Sequence, residues 1–392
     1  MMLLLATFTF ASSLAQSTFG GGSGTQNNPY LIYNTDQLDQ LAANVKSGST
    51  YENVYFKLMA DLDYANKTYT PIGGALYDDG KGGIGERLFC GKFFGNNHSI
   101  NNVTINSESD DYCGLFGFLG YEGIVRDLTL GGNSSIVSTG VVGGIAGEVY
   151  RNAEIENCQV GENVVISVHS VASGSSYDPI YFGGIAGISS GTIENCVSKA
   201  TVNNGDIAKA KNLGGIVGYL GSSGWIGGNR FLGVVEGSQH VGDIVGQNNG
   251  GTISDLEGYV PPYGDFNYIN YYHTSVRHGG VNGSDVSGTK WMGTVTFGEH
   301  VSGSLTSDAT FEDGSTPYYS VGKAMVMSNM KYEQAGYIVE DVTYSANGVA
   351  LVEDGTDYTF TMPDDDVIIT GSATVKRDIA YSNWVTITIP NQ

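Results

Sequence analysis

The chain has 392 residues, 58 of them glycine and 8 proline, and a formal net charge of −22 from 40 acidic and 18 basic side chains. Glycine at about twice its usual ~7%, without a three-residue period or abundant proline, excludes collagen; 41% hydrophobic and 11% aromatic content argues against simple disorder. Interior glycines cost a helix about 1 kcal/mol each, and the scarcity of Lys and Arg makes nucleic acid and anionic membranes poor partners.

Residues 1–15 read as a secretory signal peptide, with the apolar run Leu3–Ala11 and the small-x-small site Ser13-Leu14-Ala15 before Gln16. No Lys or Arg precedes that run, which departs from the usual pattern. No run approaches the ~18 apolar residues of a membrane helix, so no membrane insertion is expected. Residues 16–27 read as a flexible linker. Asn34 and Gln37 then suit a capping-box start, Leu38, Leu41, Ala42 and Val45 share one helical face, and Gly48 suits the stop. A short amphipathic helix there would cover the open end of whatever follows.

A repeat follows. Gly114-Leu-Phe-Gly117, Gly144-Ile-Ala-Gly147, Gly184-Ile-Ala-Gly187, Gly215-Ile-Val-Gly218 and Asp243-Ile-Val-Gly246 start 30, 40, 31 and 28 residues apart. The 40-residue interval holds an insertion at 170–178, expected to loop out. After four of the five cores comes an Ile/Val strand with an acidic residue or Asn, as in Ile155-Glu-Asn-Cys158 and Ile193-Glu-Asn-Cys196; the fourth copy is degraded to Trp225-Ile-Gly-Gly-Asn229. A unit of ~30 residues cannot bury its own apolar face, so such units must stack. The expected fold is all-β: a right-handed parallel β-helix over 28–260, its glycines allowing close approach of neighbouring turns.

The Gly-[Leu/Ile]-[Phe/Ala/Val]-Gly core followed by Ile-x-Asn-Cys resembles the GLUG motif of bacterial surface proteins and of the non-catalytic part of some IgA-specific metallopeptidases. The upstream segments Tyr30–Leu38, Leu58–Asp63, Pro71–Gly73 and Phe93–Ile100 fit the same pattern. The resemblance implies an architecture and says little about activity.

Residues 261–304 read as an aromatic-rich cap or linker. Within Tyr259–His273, Tyr263, Tyr268 and Tyr271 are the candidates for an exposed contact with a sugar face or a protein, against the competing reading of a plug on the last turn; His273 and His278 read as incidental. Residues 305–376 alternate as strands, and Phe360-Thr-Met-Pro363 followed by Asp366-Val367 resembles small β modules of the divergent internalin-type B-repeat family, implying a β-sandwich or β-grasp-like spacer. Asp364–Asp366 lack the alternating ligand spacing of a calcium loop and read as a solvated turn. Residues 377–392 read as the start of a further β module.

Catalytic constellations are missing. Cys90, Cys113, Cys158 and Cys196 show no zinc spacing; Cys158 and Cys196 hold equivalent repeat positions and are expected as buried free thiols rather than a disulfide. His-Glu-x-x-His is absent. Gly187–Gly191 matches Gly-x-Ser-x-Gly but lies in a repeat turn. Asp127, Glu154, Glu156 and Glu194 are candidate carboxylates, yet Glu156 and Glu194 recur with the repeat and read as surface. No cofactor or metal is expected. The expectation is a secreted or cell-surface, non-catalytic stalk or adhesin for an extracellular glycan or a host or matrix protein. The alternatives are a β-helix carbohydrate-active enzyme and a pure spacer.

Overall fold

The computed structural model describes residues 19–378, except 66, 75, 79–83, 108–111, 169–180, 204–210, 238, 256, 261–263, 268 and 275–278. The signal-peptide reading, the insertion at 170–178 and the C-terminal strand reading beyond 378 lie outside these residues. The described chain is mostly β-strand with one helix, Thr35–Lys46. Asn34 caps that helix by accepting the Gln37 N–H at 3.1 Å, and Gln37 Oε1 accepts the Tyr33 N–H at 2.7 Å. Leu38, Leu41, Ala42 and Val45 are buried, as their spacing predicts.

From Lys92 to Ile253 the described strands do not pair with their sequence neighbours. Each pairs in parallel with a strand about one repeat away, which places four parallel sheets side by side. Sheet I carries Lys92–Asn101, Ile124–Gly131, Glu154–Glu156, Thr192–Glu194 and Trp225–Gly227 in successive rungs. Sheet II runs from Thr104–Ser107 to Val234–Glu236, sheet III from Tyr112–Cys113 to Gln239–Gly242, and sheet IV from Phe116–Leu119 to Val245–Asn248, five strands each. Alternation along each strand sends one residue set inward. In sheet I this set is Phe56, Phe93, Val125, Ile155, Ile193 and Ile226, stacked rung on rung and fully buried. Each such side chain contributes about 1.5–3 kcal/mol of burial.

The repeated glycines are required by contact. A Cβ on Gly147 would lie 2.6 Å from the Gly117 carbonyl oxygen, one on Gly218 2.7 Å from that of Gly187, and one on Gly246 2.6 Å from that of Gly218. The first core glycines behave alike: a Cβ on Gly144 would lie 2.5 Å from Gly184 O, and one on Gly184 2.1 Å from Gly215 O. None of these residues has a positive φ. Left-handed positions of the repeat fall instead at a corner in sheet I: Asp127, at the register break inside Ile124–Gly131, and Asn157 and Asn195, just past their strands, have φ of 55°, 53° and 54°. Asn and Asp tolerate that region better than other side chains, which explains the acidic-or-Asn position of the repeat.

The fourth copy is intact in the fold, contrary to its sequence. Gly228, at φ 68°, takes the corner, and Asn229 takes the stacked position that Cys158 and Cys196 hold in earlier turns. All four cysteines are buried and free.

Three boundaries differ from expectation. Residues 19–27 are not a loose linker: Phe19 is buried against Tyr30 and Phe56, and Gly20 N–H donates to Leu31 O. Parallel stacking does not stop at 260: Asn270–Tyr272 and Thr289–Gly293 add two rungs, continuing Phe231 with Tyr272 and Trp291. The C-terminal module begins at Val295 rather than 305. There a three-stranded and a four-stranded sheet share a core of Val295, Met325, Met327, Phe360, Val367 and Ile369.

The module meets the stack through specific side chains. Asp366 accepts the Thr294 N–H at 2.6 Å and contacts His273 Nε2 at 3.0 Å, while His273 packs on Trp291. Asp366 is thus a junction residue and no mere solvated turn, and His273 is not incidental; His278 lies outside the described residues. Lys199 pairs with Asp313, and the Arg230 guanidinium lies 4.6 Å over the Phe311 ring.

Candidate functional site on the outward face of sheet I

The alternation that buries Phe93, Val125 and Ile155 turns their neighbours outward. One outward column reads Lys57, Phe94, Arg126, Glu156 and Glu194, and the column beside it reads Tyr55, Lys92, Ile124, Glu154, Thr192 and Trp225. Chemistry-bearing side chains are therefore held ~4.8 Å apart along a rigid surface. Tyr55 and Phe94 meet edge to face at 6.0 Å. Arg126 lies over the Phe94 ring at 4.9 Å and places Nε 3.7 Å from Glu156 Oε2. An open hollow of about 580 Å³ adjoins them, lined by Pro29, Lys57, Phe94, Asn96, Arg126 and Asp127 among others.

Glu154, Glu156 and Glu194 bring carboxylate oxygens within 4.8 Å of one another. Burial pushes the Glu154 carboxyl above its ordinary range, Glu156 adds to the shift, and Arg126 opposes it. Burial likewise raises Glu194, helped by the charges of Glu156 and Glu154. This is the group whose spacing suits a cation among the described residues, although the Arg126 guanidinium already competes for the same carboxylates. The arrangement offers a face for stacking, a guanidinium, amides and carboxylates, all of which serve hydroxyl-rich or polar partners.

Of the tyrosines proposed from sequence, Tyr271 is buried beside Ile269 and Met292 and presents no exposed contact; Tyr263 and Tyr268 lie outside the described residues. Tyr271 stands beside Arg230 on the outer face of the stack, and its burial comes from Leu232, Phe311 and Tyr318 packing over that face, which the aromatic composition of its segment conceals. The core glycines Gly114, Gly117, Gly144, Gly147, Gly184, Gly187, Gly215, Gly218 and Gly246, with Cys158 and Cys196, are structural. Ser189, the serine of the Gly-x-Ser-x-Gly match, is fully buried and hydrogen-bonds Gly191 O at 3.3 Å, which rules it out as an exposed nucleophile. Sequence reading reached Glu154, Glu156 and Glu194 but missed Phe94 and Arg126. Their signal was present: each stands one residue after an inward position of its strand, as Glu156 and Glu194 do.

No helix among the described residues is long and apolar enough to cross a membrane. No family model matches the chain. Over 163 residues, 41% of the chain, it is 30% identical to a protein named as a Gly-rich membrane protein in Evansella cellulosilytica, covering 18% of that protein. Over 171 residues, again 41% of the chain, it is 30% identical to halomucin of Haloquadratum walsbyi, covering 2% of it. The chain thus spans less than a fifth of the length of either curated relative. Among solved structures, it is similar to a candidate immunoglobulin A1 protease from Bacteroides ovatus, with 29% identity and a TM-score of 0.45 over 59% of this chain and 65% of that one.

Proposed function

We propose that the chain is a right-handed parallel β-helix, secreted or displayed at a cell surface, that binds an extracellular glycan or a host or matrix protein without catalysing a reaction. The observation that carries this reading is the outward face of sheet I. Its aromatic, basic and acidic side chains are spread along successive rungs as a strip, as a binding surface requires. The resemblance of the glycine-core repeat to the GLUG motif supports a surface protein, as does the similarity of part of the chain to proteins named as a membrane protein and a halomucin. The C-terminal module fits the role of a spacer.

Glycan arrays and immobilised matrix proteins probed with the purified chain test the reading. Binding that falls about tenfold or more in Phe94→Ala and Arg126→Ala supports it. Absence of binding together with depolymerase activity overturns it.

One observation favours a second reading, a carbohydrate-active enzyme: Glu154 and Glu194 are both held above the ordinary carboxylate range within reach of each other, as a general acid requires. Polysaccharide cleavage abolished by Glu154→Gln or Glu194→Gln would establish it.

A further inference from the structure

Three of the four sheets are closed at their N-terminal end. Leu62–Asp63 pairs with the second half of Lys92–Asn101 in sheet I; Tyr112 N–H donates to Gly74 O beside sheet III; Gly117 N–H donates to Ile72 O beside sheet IV. The segment between, residues 67–71, forms no strand that joins sheet II. Among the described residues, Thr104–Ser107 is therefore the terminal strand of that sheet and pairs with Ser135–Ser138.

The register says which groups this leaves open. In later turns the residue equivalent to Thr104 donates its N–H to the turn before. Ser135 donates to Val103 O at 2.8 Å, Val165 to Ser134 O at 2.9 Å, Thr201 to Val164 O at 2.9 Å, and Val234 to Ala200 O at 3.1 Å. In a parallel ladder alternate residues bond to opposite neighbours. Thr104 and Asn106 therefore direct N–H and C=O to the open side, where no described strand receives them. Both side chains are exposed and the intervening Ile105 is buried, so the strand is anchored while its edge is presented.

A pocket of about 240 Å³ lies along this edge, between the strand and the segment Thr68–Gly73, with Tyr69 and Tyr112 in its walls. Lys46, at the end of the helix, and Arg87 also line it. Two of the chain's 18 basic residues thus converge on one pocket of a molecule with net charge −22.

We propose that the Thr104–Ser107 edge docks an extended segment of a partner protein, which adds to sheet II as a sixth strand and places one acidic side chain in the pocket toward Lys46 and Arg87. Main-chain hydrogen bonds to Thr104 and Asn106 supply affinity, and the pocket selects the side chain. This stands apart from the outward face of sheet I, and either can fail while the other holds.

The probes are eight-residue peptides alternating Thr and Val around one central Glu, the same peptides N-methylated at alternate amides, and oligogalacturonate. Binding to the full chain is measured together with hydrogen exchange at Thr104 and Asn106. The expected result is binding of the Glu peptide, slowed exchange at both amides, loss of binding on N-methylation, and weakening of about tenfold or more in Lys46→Glu and in Thr104→Pro. Thr104→Pro removes only an edge N–H that the fold does not use, a position where proline is tolerated, and an unchanged thermal midpoint confirms that the variant folds. Failure of every acidic peptide to bind overturns the proposal. So does binding indifferent to Thr104→Pro and N-methylation. Oligogalacturonate binding sensitive to Lys46→Glu but not to Thr104→Pro overturns it in favour of an anionic-sugar pocket.

Discussion

Asn229 and Asn270 lie buried on successive turns of the stack, with Asn229 Nδ2 donating to Asn270 Oδ1 at 2.9 Å. Asn229 also donates to Ile193 O at 3.0 Å and accepts the Cys196 N–H at 3.0 Å, while Asn270 donates to Gly288 O at 3.1 Å. The pair thus bridges the last cysteine turn to the aromatic turns that follow. Buried amides this well satisfied favour one register over its alternatives.

Asn229→Ala would leave the Cys196 N–H and the Ile193 carbonyl without their present partner in a dry interior. The expected loss is about 1–3 kcal/mol for each unsatisfied group, read as a lower urea midpoint. An unchanged midpoint would show that the network is dispensable.

Glycine serves two physical purposes, and two substitutions separate them. Gly147→Ala would place a Cβ 2.6 Å from Gly117 O and 2.8 Å from Cys113 N, so backbone must move. Overpacking of this kind costs about 1–3 kcal/mol or more. Gly314→Ala meets nothing within 4 Å and suffers only from its φ of +59°, at about 1 kcal/mol. Thermal unfolding of the two variants should rank them in that order.

Glu154 and Glu194 have folded-state carboxyls above their ordinary range. Their contribution to stability is fully present below the ordinary Glu value and is lost as pH rises through the raised one. Glu194→Gln is therefore expected to be more stable than the parent at neutral pH, with the difference shrinking as pH falls through that window. A difference independent of pH would contradict the assignment.

Asp366 shifts the other way. Burial alone would raise it, but the Thr294 N–H, the charge of His273 and the Thr294 hydroxyl outweigh burial and lower it. Its contribution is present above the ordinary Asp value and is lost as pH falls through the lowered one. Asp366→Asn should loosen the C-terminal module at neutral pH, seen as faster proteolysis near Thr294, and behave like the parent in strong acid.

The repeat arithmetic, the helix and its cap, and the buried free cysteines were legible in the sequence, because each depends on local spacing. Glycine cores 28–40 residues apart and Leu38, Leu41, Ala42 and Val45 on one face are patterns a chain carries wherever it folds. The Asn of Ile-x-Asn-Cys was visible, but its reason, a left-handed corner, was not.

Only tertiary structure decided the rest. It showed that Gly228 and Asn229 complete a turn whose sequence reads as degraded, that Tyr271 is buried beneath Phe311 and Tyr318 on the outer face of the stack, and that two further rungs follow residue 260. It also aligned Phe94 and Arg126 with Glu156 and Glu194. Stacking register is set by pairing between residues 30 to 40 positions apart, and a shift of one residue exchanges the two faces of a strand. Composition says how much glycine and acid the chain holds; register decides which glycines touch backbone and which acids share a surface.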